Sequence, residues 1–284
     1  MISDEAAGQK RLLYPEKKGG LRTVSPSGLA AFFGQVFAIV EVEIRKVLRD
    51  PIELFSRVAQ PILWLAVFGQ VFSRIKGIPT GNLSYMAFMA PGILAQSVLF
   101  SAIFYGISVI WERDLGIVQK LLVSPSYREA LVSGKAVAAG IRGLAQMVLI
   151  YILIWAMRIN LNHGVVSILG VMTAVFLGSA VFSTFSLVVA CIVKTRERFM
   201  GIGQLLTMPM FFASNAIYPV ALMPAWLRVI ARFNPLTYLV DALRQLMVQG
   251  GQSVYGPGMD FGVLAAVFLV LLLLASRLYS GIVR

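Results

Sequence analysis

Residues 164–193 read GVVSILGVMTAVFLGSAVFSTFSLVVACIV, and no charged side chain occurs among them. A helix needs about 20 apolar residues to cross the roughly 30 Å hydrocarbon core of a bilayer. In that core no water is present to bond backbone amides and carbonyls, so a spanning segment of this kind must be helical. The stretch therefore predicts a membrane-spanning helix, and other parts of the chain repeat its pattern.

The composition agrees with a membrane location. Of the 284 residues, 58% are hydrophobic and 13% are charged, whereas soluble domains carry about 25% charged residues. The mean hydropathy is +0.80. We predict an all-α integral membrane protein with six transmembrane helices. Their expected bounds are about 55–73, 86–110, 140–158, 164–193, 199–218 and 260–279.

The chain ahead of the first span divides into two parts. Residues 1–27 are polar and basic and lack the apolar core of a signal peptide, so they predict a disordered cytoplasmic tail. Residues 28–50 place apolar side chains on one face and Glu41 and Arg45 on the other, which predicts an amphipathic interfacial helix. Residues 51–284 are then expected to form one membrane domain.

Lysine and arginine concentrate on one side of the predicted spans. Cytoplasmic loops of membrane proteins carry an excess of these residues. Most of the 25 lie before residue 58, within 112–142 or in 194–198, so both termini are predicted to be cytoplasmic. The same distribution accounts for the net charge of +12 and does not form the clustered patch of a nucleic-acid-binding protein. No nucleic-acid partner is expected.

The fifth apolar segment, 199–218, is interrupted. Pro209 lies in its middle, and Asn215 follows within two turns. Non-helical backbone at membrane depth is tolerated where protein or a water-filled cavity surrounds it. A broken or re-entrant helix and a simple proline kink both fit this pattern.

The motifs for ATP hydrolysis and metal binding are missing from the sequence. Gly134 and Lys135 form a Gly-Lys pair, but Ala136 stands where a phosphate loop needs Ser or Thr, and the upstream glycine is missing. His163 is the single histidine and has no acidic neighbour in the sequence with which to share a metal. We expect no catalytic, cofactor-binding or metal site in this chain, and no enzymatic activity of its own.

The predicted spans are expected to contain no acid or base apart from Arg57 and Arg142, near cytoplasmic ends. Transporters driven by protons carry buried carboxylates or histidines, so this absence argues against a self-powered transporter. Scattered amides such as Gln96 and Asn215 suit either a path for amphiphiles or hydrogen bonds between helices.

The loop between the second and third spans contains a short amphipathic segment. It reads ERDLGIVQKLLVSPSYREALVSGK, residues 112–135. Its apolar residues recur at helical spacing, and Pro125 ends the segment because proline cannot continue a helix. An apolar face in a loop needs a surface to pack against, either lipid headgroups or another protein.

These features resemble the type 2 permeases of ABC exporters, including the drug-resistance and nodulation-factor permeases, over nearly the whole chain. Ala90, Pro91 and Gly92 begin the family's pattern in the second span. The segment FNPLTYLVDALR, residues 233–244, is similar to its second signature. The loop contributes these residues at the family's spacing: Glu112, Arg113, Gly116, Leu121, Leu122, Pro125, Arg128, Gly134 and Lys135. The chain departs from the family at Ile117, where threonine is common.

The resemblance implies that the loop helix is a coupling helix, which lies in a groove on a separate cytoplasmic ATPase that binds ATP and Mg. The residues implied in coupling are Glu112, Arg113, Gly116, Leu121, Leu122 and Pro125. An outer gate is implied for Asn234, Pro235, Asp241 and Arg244. Asp241 and Arg244 lie one turn apart, and we expect them to form an exposed pair.

The resemblance also implies the partners and the location. Family members pair two permease copies with two ATPase subunits in a prokaryotic plasma (inner) membrane. Their cargo is amphiphilic, a drug in multidrug efflux or a lipid or lipid-linked glycan, and lipid surrounds the permease. The function implied is export of such a cargo by a homodimer powered by separate ATPase subunits.

Two other classes of function remain open from the residues alone. A non-transporting membrane protein, such as an assembly factor or a channel, would share the composition and the spans. An integral-membrane enzyme fits less well, because the chain has one histidine and lacks buried acids in the expected spans. An ATPase with a phosphate loop, encoded beside this chain, would favour the exporter over both.

The charge asymmetry makes a prediction about topology. With Cys191 replaced, single cysteines at Ser124 and Ser253 are offered to a membrane-impermeant maleimide in intact cells. Ser253 should react because it lies in the predicted outer segment 222–258, and Ser124 should react only after the cells are opened. Labelling of Ser124 without Ser253 would invert the topology.

Overall fold

Helices make up the regular secondary structure in the part of the chain that the computed structural model describes: residues 28–49, 55–74, 80–81, 83–116, 128–193 and 195–278. A bridge pair between Leu161 and Val248 is isolated. In chain order the helices are α1 (Leu29–Arg49), α2 (Ala59–Ser73), α3 (Tyr85–Asp114), α4 (Arg128–Ala156), α5 (Val165–Ile192), α6 (Arg196–Phe212), α7 (Ala225–Phe233), α8 (Pro235–Met247) and α9 (Pro257–Leu278).

The chain divides into two compact units, Met1–Ala31 and Phe32–Arg284. Residues 28–31 are the described part of the first unit, and 29–31 begin α1. The predicted tail 1–27 lies outside the described residues. All contacts given below lie within the second unit.

Within the described ranges, four helices are long and apolar enough to cross a membrane: α3, most of α4 (Glu129–Ala156), α5 and α9. Two of the six predicted spans coincide with shorter helices. The segment 55–73 contains α2, with a π-helical turn over Trp64–Gly69, and 199–218 overlaps the 17-residue α6, which begins three residues earlier at Arg196.

The predicted loop 112–135 is shorter in the structure. Helix α3 continues to Asp114, and α4 begins at Arg128, well before the predicted start at residue 140. The first turns of α4 are helical because Ala130, Leu131 and Val132 are buried in the bundle, although charged residues flank them. Residues 117–127 lie outside the described part of the chain.

Helix α5 packs against α3, α4, α8 and α9. Small residues let these helices approach closely, as is common in membrane proteins. A Cβ atom at Gly178 would lie 2.6 Å from Leu239 Cδ2, and one at Gly92 would lie 2.4 Å from the backbone oxygen of Ala216. At Gly92, the first half of α3 therefore packs directly against the backbone of Ala216, which follows α6.

Helix α6 ends at Phe212, three residues after Pro209, so the segment 199–218 is not one continuous helix. Turns and a short 3-10 segment, Val220–Leu222, lead to α7 and then to α8. Helix α8 returns into the bundle and contacts α3, α5 and α9. This return brings the polar residues of 215–255 against the start of α3.

Candidate functional site

Five charged side chains meet where α3 ends and α4 begins. We call Glu43, Lys46, Glu112, Lys135 and Arg142 the charged cluster. Lys135 Nζ lies 2.7 Å from Glu112 Oε2, and Lys46 Nζ lies 3.0 Å from Glu112 Oε1 and 2.9 Å from Glu43 Oε1. Arg142 Nη2 lies 3.4 Å from Glu43 Oε2. The ion pairs therefore join α1, α3 and α4.

Four members of the charged cluster have 5–12% of their side-chain surface exposed and Lys46 has 49%, so removing one of the four would leave another charge without a partner in apolar surroundings. Glu112 has 12% of its side-chain surface exposed and Lys135 has 6%. Burial alone would lower the pKa of Lys46, but Glu43 and Glu112 outweigh that effect and raise its pKa above the usual value. Lys46 therefore stays charged through the physiological range.

Glu112 was predicted to lie in a coupling loop, and its ion pair with Lys135 of α4 was not predicted. Glu112 instead lies in the last turn of α3, where it pairs with Lys135 of α4. Glu43 was also missed, although its spacing from Val36 and Val40 places it on the apolar face of α1. A buried carboxylate on an apolar face requires a cation from a neighbouring helix. The position of Glu43 could therefore have predicted an ion pair between helices.

Arg113 and Gly116 lie beside the charged cluster. An Arg113 N–H donates to the Val193 carbonyl over 3.4 Å, which ties α3 to the end of α5. Gly116 has φ of +72°, and its N–H donates to the Arg113 carbonyl over 3.0 Å. Glycine closes helix α3 there because it adopts this left-handed conformation without a Cβ clash. Leu121, Leu122 and Pro125 lie outside the described residues.

A second polar group lies near the start of α3. We call Asn215, Asn234, Asp241, Arg244 and Ser253 the hairpin network. Asp241 Oδ1 accepts from the Asn215 side-chain amide over 3.0 Å. Asp241 Oδ2 accepts from Ser253 Oγ over 3.0 Å and from two backbone N–H groups that follow it, those of Val254 (2.6 Å) and Tyr255 (3.1 Å).

Arg244 does not form the exposed pair with Asp241 that we predicted. Both residues are buried, with 4% and 0% of their surface exposed, and Nη1 lies 3.8 Å from Asp241 Oδ1. Arg244 Nη2 donates to the Asn215 carbonyl over 2.6 Å, and the guanidinium covers the ring of Phe88 at 3.9 Å. The expectation was wrong because α8 returns into the bundle and is not a surface helix.

Asn234 and Pro235 form the start of α8. Pro235 occupies the first turn of the helix, and the Asn234 side-chain oxygen accepts from the Leu236 N–H over 3.0 Å. The Asn234 amide donates to the carbonyls of Met210 (2.6 Å) and Ala213 (3.3 Å). Since α6 ends at Phe212, these carbonyls lack helical partners, and Asn234 satisfies them.

Asp260 corrects a second expectation. The predicted spans were expected to contain no acid or base apart from Arg57 and Arg142. Asp260 lies in α9 and is fully buried, so the last predicted span does contain an acid. Its Oδ2 lies 2.8 Å from Ser253 Oγ, whose single hydroxyl proton is shared between Asp260 and Asp241. Because Ser253 is engaged by both carboxylates, the exposed neighbour Gln252 is the better position for the outer cysteine label.

The described residues include no group of three or more His, Cys, Asp or Glu placed to hold a metal ion. The two polar groups lie at opposite ends of α3: Phe88 is near its start and Glu112 near its end. The two groups can hold the helices together at both ends of α3. The interactions within them are ion pairs and hydrogen bonds.

Residues 34–248 match the ABC-2 type transporter family. The chain belongs to this family. The match begins in α1 and ends just after α8, so both the charged cluster and most of the hairpin network fall within the family's domain.

Three relatives illustrate the range of the family. A protein of Cyanophora paradoxa, named as a transport permease, ycf38, is 29% identical over 76% of this chain and 74% of its own length. The daunorubicin resistance ABC transporter permease protein DrrB1 of Streptomyces coeruleorubidus is 23% identical over 81% of both chains. Nodulation protein J of Rhizobium leguminosarum bv. viciae is 26% identical over 79% of this chain and 85% of its own.

The hairpin network makes a prediction about stability. Asp241→Ala removes the acceptor of four hydrogen bonds and the counter-charge of Arg244, so we expect it to lower the free energy of unfolding by about 3–5 kcal/mol. The measurement is unfolding by SDS in mixed micelles, followed by circular dichroism.

Asp114→Ala is the matched control for that experiment. Asp114 pairs with Arg196 at 2.9 Å, but both side chains are more than 30% exposed. Exposed pairs contribute about 0–1 kcal/mol, so this variant should unfold nearly as the unaltered protein does. Equal losses in the two variants would refute the special role of the hairpin network.

Proposed function

We propose that this chain is the membrane-spanning permease subunit of an ATP-driven exporter that moves an amphiphilic cargo out of the cytoplasm. Membership of the ABC-2 family carries the proposal, since members of this family work with an ATPase partner. ATP and Mg are bound by that separate partner. Helices α2 and α6 complete six membrane-embedded segments, with α6 re-entrant, and both termini are cytoplasmic in a prokaryotic plasma membrane.

The charged cluster supports a coupling role for the loop between α3 and α4. The loop leaves α3 at Gly116 and returns at Arg128, the first residue of α4. The Glu112–Lys135 ion pair joins these two helices near the ends of the loop. Force that an ATPase applies to the loop therefore reaches both helices together, and Lys46 extends the connection to α1.

The cargo and the second permease copy follow from different observations. One relative is named for daunorubicin resistance and another for nodulation. We therefore propose only a broad cargo class, an amphiphile, for this chain. Side chains fill the interior around α5 in the described part of the chain. A cargo path therefore needs a second wall, and a second copy of this chain supplies it.

The test uses this permease purified together with the ATPase encoded beside it. Replacing Leu121 and Leu122 by serine removes apolar groups from the predicted coupling segment, and loss of a well-buried leucine costs about 2–5 kcal/mol. The altered permease should reach the membrane at normal abundance, yet lose the ATPase on purification or leave its ATP hydrolysis insensitive to the permease.

Leu222→Ser is the matched control, since Leu222 is exposed in the connection between α6 and α7, on the other side of the proposed topology. It should retain the ATPase. If the double variant also keeps its partner together with full transport, the segment only anchors the chain at the membrane surface, and the coupling role is wrong.

A further inference from the structure

A cavity of about 640 Å³ lies between the start of α3 and the hairpin formed by α7 and α8. Three arginines line it, Arg228 and Arg232 from α7 and Arg244 from α8. We call it the arginine cavity. Arg228 and Arg232 are four residues apart, so both lie on the same side of α7.

No carboxylate lines the arginine cavity among the described residues. Asp241 lies behind Arg244 and already accepts four hydrogen bonds. Residues 75–79 and 82 adjoin in sequence the lining residues Thr80, Gly81 and Leu83, and they include no Asp or Glu. Asp241 balances the charge of Arg244 at 3.8 Å, so Arg228 and Arg232 supply the positive charge that no described carboxylate in the cavity wall balances.

The guanidinium groups of α7 have donors to spare. Arg228 Nη2 donates to the carbonyl oxygens of Met223 (3.1 Å) and Ala221 (3.5 Å), while its other nitrogens have no partner in the described part of the chain. Arg232 makes no side-chain hydrogen bond or ion pair there. An arginine carries five N–H donors in a planar fork that matches phosphate or carboxylate oxygens.

The opposite side of α7 is apolar. Val229, Ile230 and Phe233 line a separate groove of about 520 Å³ together with residues of α5, α6 and α9. Trp226 and Phe233 are 65% and 84% exposed. A helix with a basic side and an aromatic-rich apolar side lies in the interfacial layer of a membrane, where anionic headgroups are found.

We propose that the arginine cavity binds the anionic headgroup, a phosphate or a carboxylate, of an amphiphile. Arg228 and Arg232 supply the free donors, Arg244 adds a buried positive charge, and α7 holds the site at the lipid interface. This deepens the proposed export function and rests on it where it names the cargo as an anionic amphiphile. Binding itself requires neither ATP nor the ATPase.

The test measures equilibrium binding to the purified full chain in dodecyl maltoside. The probes are radiolabelled dioleoyl phosphatidic acid and dioleoyl phosphatidylcholine, with inorganic phosphate as the competitor. We expect saturable binding of phosphatidic acid and a dissociation constant raised about tenfold by Arg232→Gln, since a charge-assisted contact of ordinary strength is worth that factor. Arg228→Gln combined with Arg232→Gln should weaken binding further.

Arg158→Gln is the matched control because Arg158 is exposed near the same end of the bundle and does not line the arginine cavity. Gel filtration establishes that every variant is folded. Equal binding of the two lipids, or an equal loss in Arg158→Gln and Arg232→Gln, overturns the proposal. Displacement by millimolar inorganic phosphate would overturn its amphiphile part and leave an anion site. If the unaltered protein binds phosphatidic acid but does not export it with the ATPase present, the proposed function is wrong and the binding site stands.

Discussion

The buried carboxylate of Asp241 imposes the constraint on which the hairpin depends. A charge without water must be paired and hydrogen-bonded, and four donors from two parts of the chain, Asn215 and residues 253–255, converge on it. Those donors fix the turn after α6 at Asn215 and the turn before α9 at Val254 and Tyr255. Arg244 adds the start of α3 through the Phe88 carbonyl. Helix α8 is thereby held inside the bundle.

The same constraint operates at the other end of α3. Glu112 bonds to Lys135 of α4 and Lys46 of α1, near the end of α3 and the start of α4. Helix α3 thus connects two buried polar groups that lie about 36 Å apart if its helical rise of about 1.5 Å per residue is regular. A rigid helix fixed at both ends is suited to transmit a displacement of the loop to the hairpin, which is what the proposed transport cycle requires.

The sequence predicted the helical membrane fold and the segments that form α3, α4, α5 and α9, because long apolar stretches leave one option in lipid. It also indicated the interruption after Pro209. It did not predict that Asp241, Arg244 and Asp260 are buried, because a short helix with a charged pair resembles a surface helix until its tertiary contacts are known. The ion pairs of Glu43 and Lys135 were not predicted for the same reason, since they join distant segments of the chain.

ATP-driven export is tested most directly by the movement of an amphiphile into inside-out vesicles that contain this permease and an ATPase encoded beside it. Daunorubicin and fluorescent phosphatidic acid serve as the probes. We expect accumulation that requires ATP and stops when the phosphate-loop lysine of the ATPase is replaced. Movement of neither probe, or the same movement with the inactive ATPase, would refute export and favour a membrane protein that does not transport.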